Sequence, residues 1–241
     1  MGAPGIEFDG RKYHWLGSLS AGRNACAVHK DTGVTKLQQL MGPEGRVVKM
    51  GGEAPGSGVT DATAVMRAAL DLKFRIIYGY KGIAPIARAL LSREIDGMCT
   101  TWETLVARYK NFFEPERLVN VLVIAGKEVP DNPWADTAVA AQAVAPTEKA
   151  RRLLTAAGAP RQISYPYTVG PGVPADRAAA LRQGFARMLA DEAFIADYRK
   201  TGAPLVGRNA QEVTSIVDEL LSMPPETVES LKDALKRKVG P

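Results

Sequence analysis

The sequence predicts an α/β protein, and three observations carry that reading. Short apolar runs alternate with stretches of helical periodicity between residues 24 and 125, glycine-rich turns join them, and the run LVNVLVIA at 118–125 is apolar without a break. A strand buried on both faces reads as such an unbroken run, the mark of a parallel sheet covered by helices. With 46% hydrophobic and 24% charged residues, the 241-residue chain has the composition of a folded globular protein and excludes disorder, collagen and low-complexity arrays.

Taken in order, residues 24–30 (NACAVHK) predict a strand and 34–41 a helix, which Gly42-Pro43 and Gly45 break before extended structure resumes at 46–50. A glycine-rich loop at 51–58 leads into a helix whose apolar face is Val59, Ala62, Val65, Met66, Ala69 and Leu70. The run FRIIY at 74–78 predicts a buried strand, turning at Gly79-Tyr80-Lys81-Gly82 into a helix with Ile83, Ile86, Ala87, Leu90 and Leu91 inward. A strand at 96–100, a helix at 103–112 and the strand at 118–125 complete four consecutive βα units, one layered domain with right-handed crossovers.

After Gly126 the pattern changes. Helices are expected at 147–157, 175–189 and 192–200, with 165–174 as an extended crossing segment. Asn209 and Glu212 form a capping box that opens a helix to Leu221, Pro224-Pro225 ends it, and a last helix covers 226–238. This tail is rich in helices and almost without strands, so it must pack on something.

The formal charge of +5 is mild and spread along the chain, which suits small anions as readily as nucleic acid. Lys and Arg form no aromatic-flanked stripe, so nucleic acid is not an expected partner. No run approaches the roughly 18 apolar residues of a membrane-spanning helix. The first residues show no basic and apolar leader pattern. Cys26 and Cys99 leave two readings open, free thiols in a packed core or one disulfide between neighbouring strands of an extracytoplasmic protein.

The strongest chemical signal is the 51–58 loop, set between a strand and a helix. Glycines let backbone N–H groups turn toward a ligand, and a helix N-terminus adds partial positive charge suited to a carboxylate or phosphate. Gly56, Ser57, Gly58, Val59 and Thr60 are the candidate ligand residues there, with the Ser57 and Thr60 hydroxyls as further donors. The segment begins like a dinucleotide fingerprint but carries Asp61 where the third glycine belongs, and no Walker lysine follows. Its plain alternative is a tight turn that holds nothing. Lys81 and Gly82 follow the next strand, and Thr100 and Thr101 the one after, so all are expected at the carboxyl edge of the sheet, where open α/β folds bind ligands. Lys81 could equally be a solvated turn lysine, and Trp102 reads as packing.

Catalytic arrangements are absent from the pattern. His14 and His29 are the only histidines. Cys26 and His29, with two residues between them on one strand, point to opposite faces, which defeats a shared metal or a Cys–His pair. There is no Gly-x-Ser-x-Gly elbow and no ligand cluster, so no catalytic residue, metal or cofactor is expected.

Several segments together resemble one family, the solute receptors of tripartite tricarboxylate transporters, also called the Bug family. They are KYHWLGS (12–18), CAVHKDTGV (26–34), GSGVTD (56–61), GYKG (79–82), EIDGMC (94–99) and PGVP (171–174), in order across nearly the whole chain. The resemblance implies a periplasmic-binding-protein type II-like fold, a periplasmic location, a small organic acid as ligand and membrane transporter subunits as partners. It also implies that the matured relatives carry a first segment not matched here. On that basis residues 1–22 are an inter-lobe lead-in, 23–164 a complete lobe with the ligand loops, and 165–241 a crossing segment and the helical tail of an incomplete lobe. A homodimer through that incomplete lobe is a further expectation. Two other readings stay open at this point: a nucleotide- or phosphoester-using α/β enzyme, and a self-associating remnant without ligand.

Overall fold

The computed structural model describes residues 8–202 and 205–236. In chain order the elements are β1 (His14–Ser20), β2 (Asn24–His29), β3 (Val48–Gly51), α1 (Gly58–Leu70), β4 (Phe74–Ile77), α2 (Ile83–Leu91), β5 (Gly97–Thr101), α3 (Trp102–Arg108) and β6 (Val119–Ile124). They continue with β7 (Val139–Ala140), α4 (Glu148–Gly158), β8 (Ser164–Val169), α5 (Ala175–Ala190), α6 (Glu192–Lys200), β9 (Arg208–Asn209), α7 (Ala210–Leu221) and α8 (Pro225–Lys236). The expected last helix thus starts one residue early, and its final two positions lie outside the described residues. The chain forms two compact units: a larger one of Arg23–Gly158 with Glu229–Pro241, and a smaller one of Met1–Gly22 with Ala159–Val228.

The larger unit is built on a six-stranded sheet in the order β4-β3-β5-β2-β6-β7. β3 pairs in parallel with β4 and β5, and β6 with β7, while β2 runs antiparallel to both β5 and β6. The sheet is therefore mixed, not the all-parallel one expected from the sequence. The unbroken apolar runs report burial on both faces, which β2 and β6 do have at every position. Burial leaves direction undetermined, because a strand reads the same whichever edge of the sheet it starts from. The expected helix at 34–41 shrinks to a 3-10 turn at Leu37–Leu40, so no helical crossover joins β2 to β3.

One sheet face packs on α2 and α3, where Ile86, Leu90, Trp102 and Leu105 meet Ala25, Ala27, Met98, Val121 and Ile124. α1 packs on β4, β5 and α4. Its buried face is wider than its apolar pattern, since Thr63, Ala64 and Arg67 are buried along with the expected positions and Val59 is only half-buried. On α2, Leu91 is 38% exposed and Ala89 is buried in its place. The helix advances about 100° per residue, which carries Leu91 past the face that Leu90 and Ala87 occupy. The predicted 103–112 helix splits into α3 and a 3-10 turn at Lys110–Phe112.

The two cysteines are bonded. Cys26 stands directly opposite Cys99 in the β2–β5 register, both are buried, and their Cα atoms lie 4.1 Å apart. Antiparallel partners at a narrow pair come that close. At the end of β2, His29 is buried, its Nδ1 accepting from the Asp31 N–H at 3.3 Å. Burial first and the Arg93 charge second hold its pKa below the usual 6.5.

The smaller unit holds a three-stranded antiparallel sheet in the order β8-β1-β9. Residues 14–20 of the lead-in are thus a central strand, and the tail is less strand-poor than its sequence indicates. β8 carries Pro166 and was legible only as extended chain, because proline is tolerated in a strand at a sheet edge such as this one. A bulge follows Trp15, and at Gly17 (φ +155°) a Cβ would stand 2.2 Å from the Phe185 ring, so only glycine lets α5 close on the strand. Phe185 also packs on Tyr167, with ring centroids 5.3 Å apart. Asn209 and Glu212 form the expected reciprocal cap of α7. The unit begins again at residue 159 instead of 165, because Arg161 accepts a hydrogen bond from Gly22 N and the turn at Ala159–Ile163 packs on α7 and β1.

Two measurements test this framework. The disulfide closes a sequence separation of 73 residues, for which chain entropy gives about 4 kcal/mol. The double variant Cys26→Ala/Cys99→Ala is expected to lose that order of unfolding free energy in urea titration, and a loss under about 1 kcal/mol contradicts it. The depressed pKa of His29 acts in the acid range. As pH falls below the unfolded value of about 6.5, the unfolded chain binds the proton first, so the stabilisation present above that pH is lost on the way down to the folded pKa. The urea midpoint is expected to fall across that window, and His29→Gln to flatten the fall.

Candidate functional site

The carboxyl ends of β3, β4 and β5 share one edge of the large sheet, and β2, being antiparallel, begins there. The 51–58 loop and the 79–82 turn are tied side by side along that edge. Gly52 N donates to Ile77 O at 2.8 Å, Gly79 N to Glu53 O at 3.1 Å, and Tyr80 N to Gly52 O at 3.3 Å. The close approach needs a bare backbone, since a Cβ at Gly52 would meet Ile76 Cγ2 at 2.6 Å.

Ser57 is the N-cap of α1, its Oγ accepting from Thr60 N at 3.3 Å and donating to Thr60 Oγ1 at 3.0 Å. Thr60 Oγ1 in turn accepts from Glu53 N at 2.9 Å. The two hydroxyls that the sequence offers as ligand donors therefore build the loop. Asp61 takes up the Gly56 N–H at 3.0 Å. Among the described residues no protein group accepts from the N–H of Gly58 or Val59, the first two positions of α1.

α2 opens the same way. Gly82, at φ +111°, is an N-cap without a side chain to offer, and the N–H groups of Ile83 and Ala84 have no protein acceptor among the described residues. Lys81 is exposed beside them with no ion-pair partner among the described residues. The Tyr80 hydroxyl donates to Glu94 Oε1 at 2.6 Å and pins this turn; burial, then that hydrogen bond, pushes its pKa up to about 12. Helix N-termini with unpaired N–H groups favour anions through both hydrogen bonding and the helix dipole.

Thr101 is the N-cap of α3, accepting from Thr104 N at 3.1 Å and donating to Thr104 Oγ1 at 2.7 Å. Thr100 is buried opposite Ala25. Trp102 is buried among core residues, as packing. Glu103 is held by Arg23, whose backbone N–H donates to it at 2.8 Å. Direct hydrogen bonds tie Gly52 and Glu53 to Ile77, Gly79 and Tyr80; Gly56–Thr60 follow in the first of these loops, Lys81 and Gly82 in the second, and Thr100 and Thr101 end β5 farther along the same edge. One residue escaped the sequence reading: Asn24, at the start of β2, is 5% exposed and its Oδ1 has no hydrogen-bond partner among the described residues. A polar residue opening an otherwise apolar strand was the signal that could have found it.

Among the described residues no cluster of His, Cys, Asp or Glu is arranged to hold a metal, and no helix is long and apolar enough to cross a membrane.

No family model matches the sequence, and no curated protein matches it. Solved structures do. A TctC solute-binding protein from Polaromonas superposes with a TM-score of 0.64 at 13% identity, over 95% of this chain and 71% of that one. An R. palustris protein solved with adipate gives 0.60 at 16% identity, over 96% and 72%. MatC from Rhodopseudomonas palustris with bound malate gives 0.58 at 16% identity, over 97% and 73%. The chain has the mixed α/β fold of these periplasmic-binding-protein type II-like structures.

The cap chemistry of the edge is directly testable. Ser57→Ala removes the acceptor for Thr60 N and the donor to Thr60 Oγ1. It is expected to lower unfolding free energy by about 1 kcal/mol in urea titration, and an unchanged midpoint would show that the cap is redundant.

Proposed function

We propose that this chain is a solute-binding receptor for a small carboxylate or other organic acid, working in the periplasm and passing its ligand to a tripartite tricarboxylate-type membrane transporter, without catalysing a reaction. The observation that carries the reading is the pair of helix N-termini at one sheet edge, where the N–H groups of Gly58, Val59, Ile83 and Ala84 have no protein acceptor among the described residues. In this reading they take a carboxylate, Lys81 adds an exposed positive charge, and Gly56, Ser57, Thr60, Gly82, Thr100 and Thr101 shape the edge. The fold shared with a TctC solute-binding protein and with two proteins solved with adipate and with malate supports an acid as ligand. The Cys26–Cys99 disulfide supports an oxidising compartment.

The nucleotide reading loses support at Asp61. Its carboxylate sits in the position a pyrophosphate loop needs bare and takes the Gly56 N–H that such a loop would offer. Thermal melts against mono-, di- and tricarboxylic acids, with nucleotides alongside, decide between the two. A saturable rise is expected for one class of acid, equivalent to about 2.7 kcal/mol at a hundredfold excess over Kd. A shift from nucleotides alone would overturn the receptor reading.

A further inference from the structure

Asn24 Oδ1 is the one buried side-chain nitrogen or oxygen among the described residues that lacks a hydrogen-bond partner. The residue opens β2 opposite Thr101, so it stands on the carboxyl edge that bears the α1 and α2 N-termini. Side chains alternate along a strand, which puts Asn24 on the face of Cys26 and Val28. That is the face α1 covers. A Cβ at Gly97 would meet both Val28 Cγ1 and Met50 Sδ; Met50 pairs with Ile76; and Ile76 flanks Gly52 together with Thr60 of α1. Asn24 is two strands from β3, about 10 Å along the edge.

The chemistry of this atom is specific. A carbonyl oxygen only accepts hydrogen bonds, and left unpaired in a buried place it is destabilising. It repels a carboxylate oxygen and is satisfied by an O–H or N–H. The N–H groups of α1 and α2 offer the opposite, donors without an acceptor. A ligand that answers both carries a carboxylate and, a short distance along its chain, a hydroxyl or ammonium group.

We infer that Asn24 is a specificity residue, reading a hydrogen-bond donor on the ligand so that the site selects hydroxy- or amino-substituted acids over the plain acids of equal length. The inference rests on the receptor reading above. A site that hydrogen-bonds a ligand hydroxyl rejects the analogue lacking it, because its own polar atom is then left unpaired.

The test is isothermal titration of the chain with succinate, malate and aspartate, and with adipate, 2-hydroxyadipate and 2-aminoadipate. In the series that binds, a substituted acid is expected to bind about tenfold tighter than the plain one. Asn24→Ala should bring that ratio near one by weakening the substituted acid more than the plain one. Asn24→Asp keeps the acceptor oxygen and should keep the preference for the amino acid; with the wild-type ratio it carries the test if Asn24→Ala does not fold. An unaltered ratio in Asn24→Ala, or no preference in the wild type, overturns the inference and leaves the receptor reading standing. An equal loss for every acid would mean that the amide NH2 holds a shared carboxylate, which also overturns it. Binding of no acid overturns both.

Discussion

Strand β2 lies between β5 and β6 with all six residues buried, so each of its backbone N–H and C=O groups must find a partner on one neighbour or the other. That requirement shapes the larger unit. In the antiparallel register that β2 adopts, meeting it places Cys26 opposite Cys99 and puts Asn24 at the edge where the parallel strands end. The disulfide then ties β2 to β5, the strand from which Thr101 starts α3. A sheet edge carried on such cross-linked core strands is held more rigidly than one carried on loops alone.

The edge itself uses side chains to brace the loop and backbone to face solvent. Ser57 and Thr60 hold each other and Glu53 N, and Asp61 holds Gly56, which leaves Gly58 and Val59 as the donors. At α2 the same result comes from the absence of any cap side chain on Gly82. Backbone donors aimed by helix termini discriminate by geometry, whereas a lysine attracts anions with little selectivity of shape.

The smaller unit depends on one close approach. β1 is flanked on both sides, and Phe185 of α5 lies where any side chain at position 17 would have to go. Gly17 reads in the sequence as part of an unremarkable short segment. Its necessity appears only when the helix, some 170 residues away in sequence, is laid over the strand.

By itself the sequence determined what depends on neighbours along the chain. The alternation of strands and helices, the buried runs of β2 and β6, the cap at Asn209, and the glycine turns at the carboxyl edge all follow from local periodicity and local hydrogen bonding. Three things were settled by tertiary structure alone. The direction of β2 depends on which edge the chain enters, and apolar periodicity is the same either way. The cysteine pairing depends on β2 and β5 being neighbours in register, across a separation that spans two other strands and two helices. The unpaired oxygen of Asn24 is a property of everything that surrounds it, since a buried atom lacks a partner only when no element packed nearby supplies a donor.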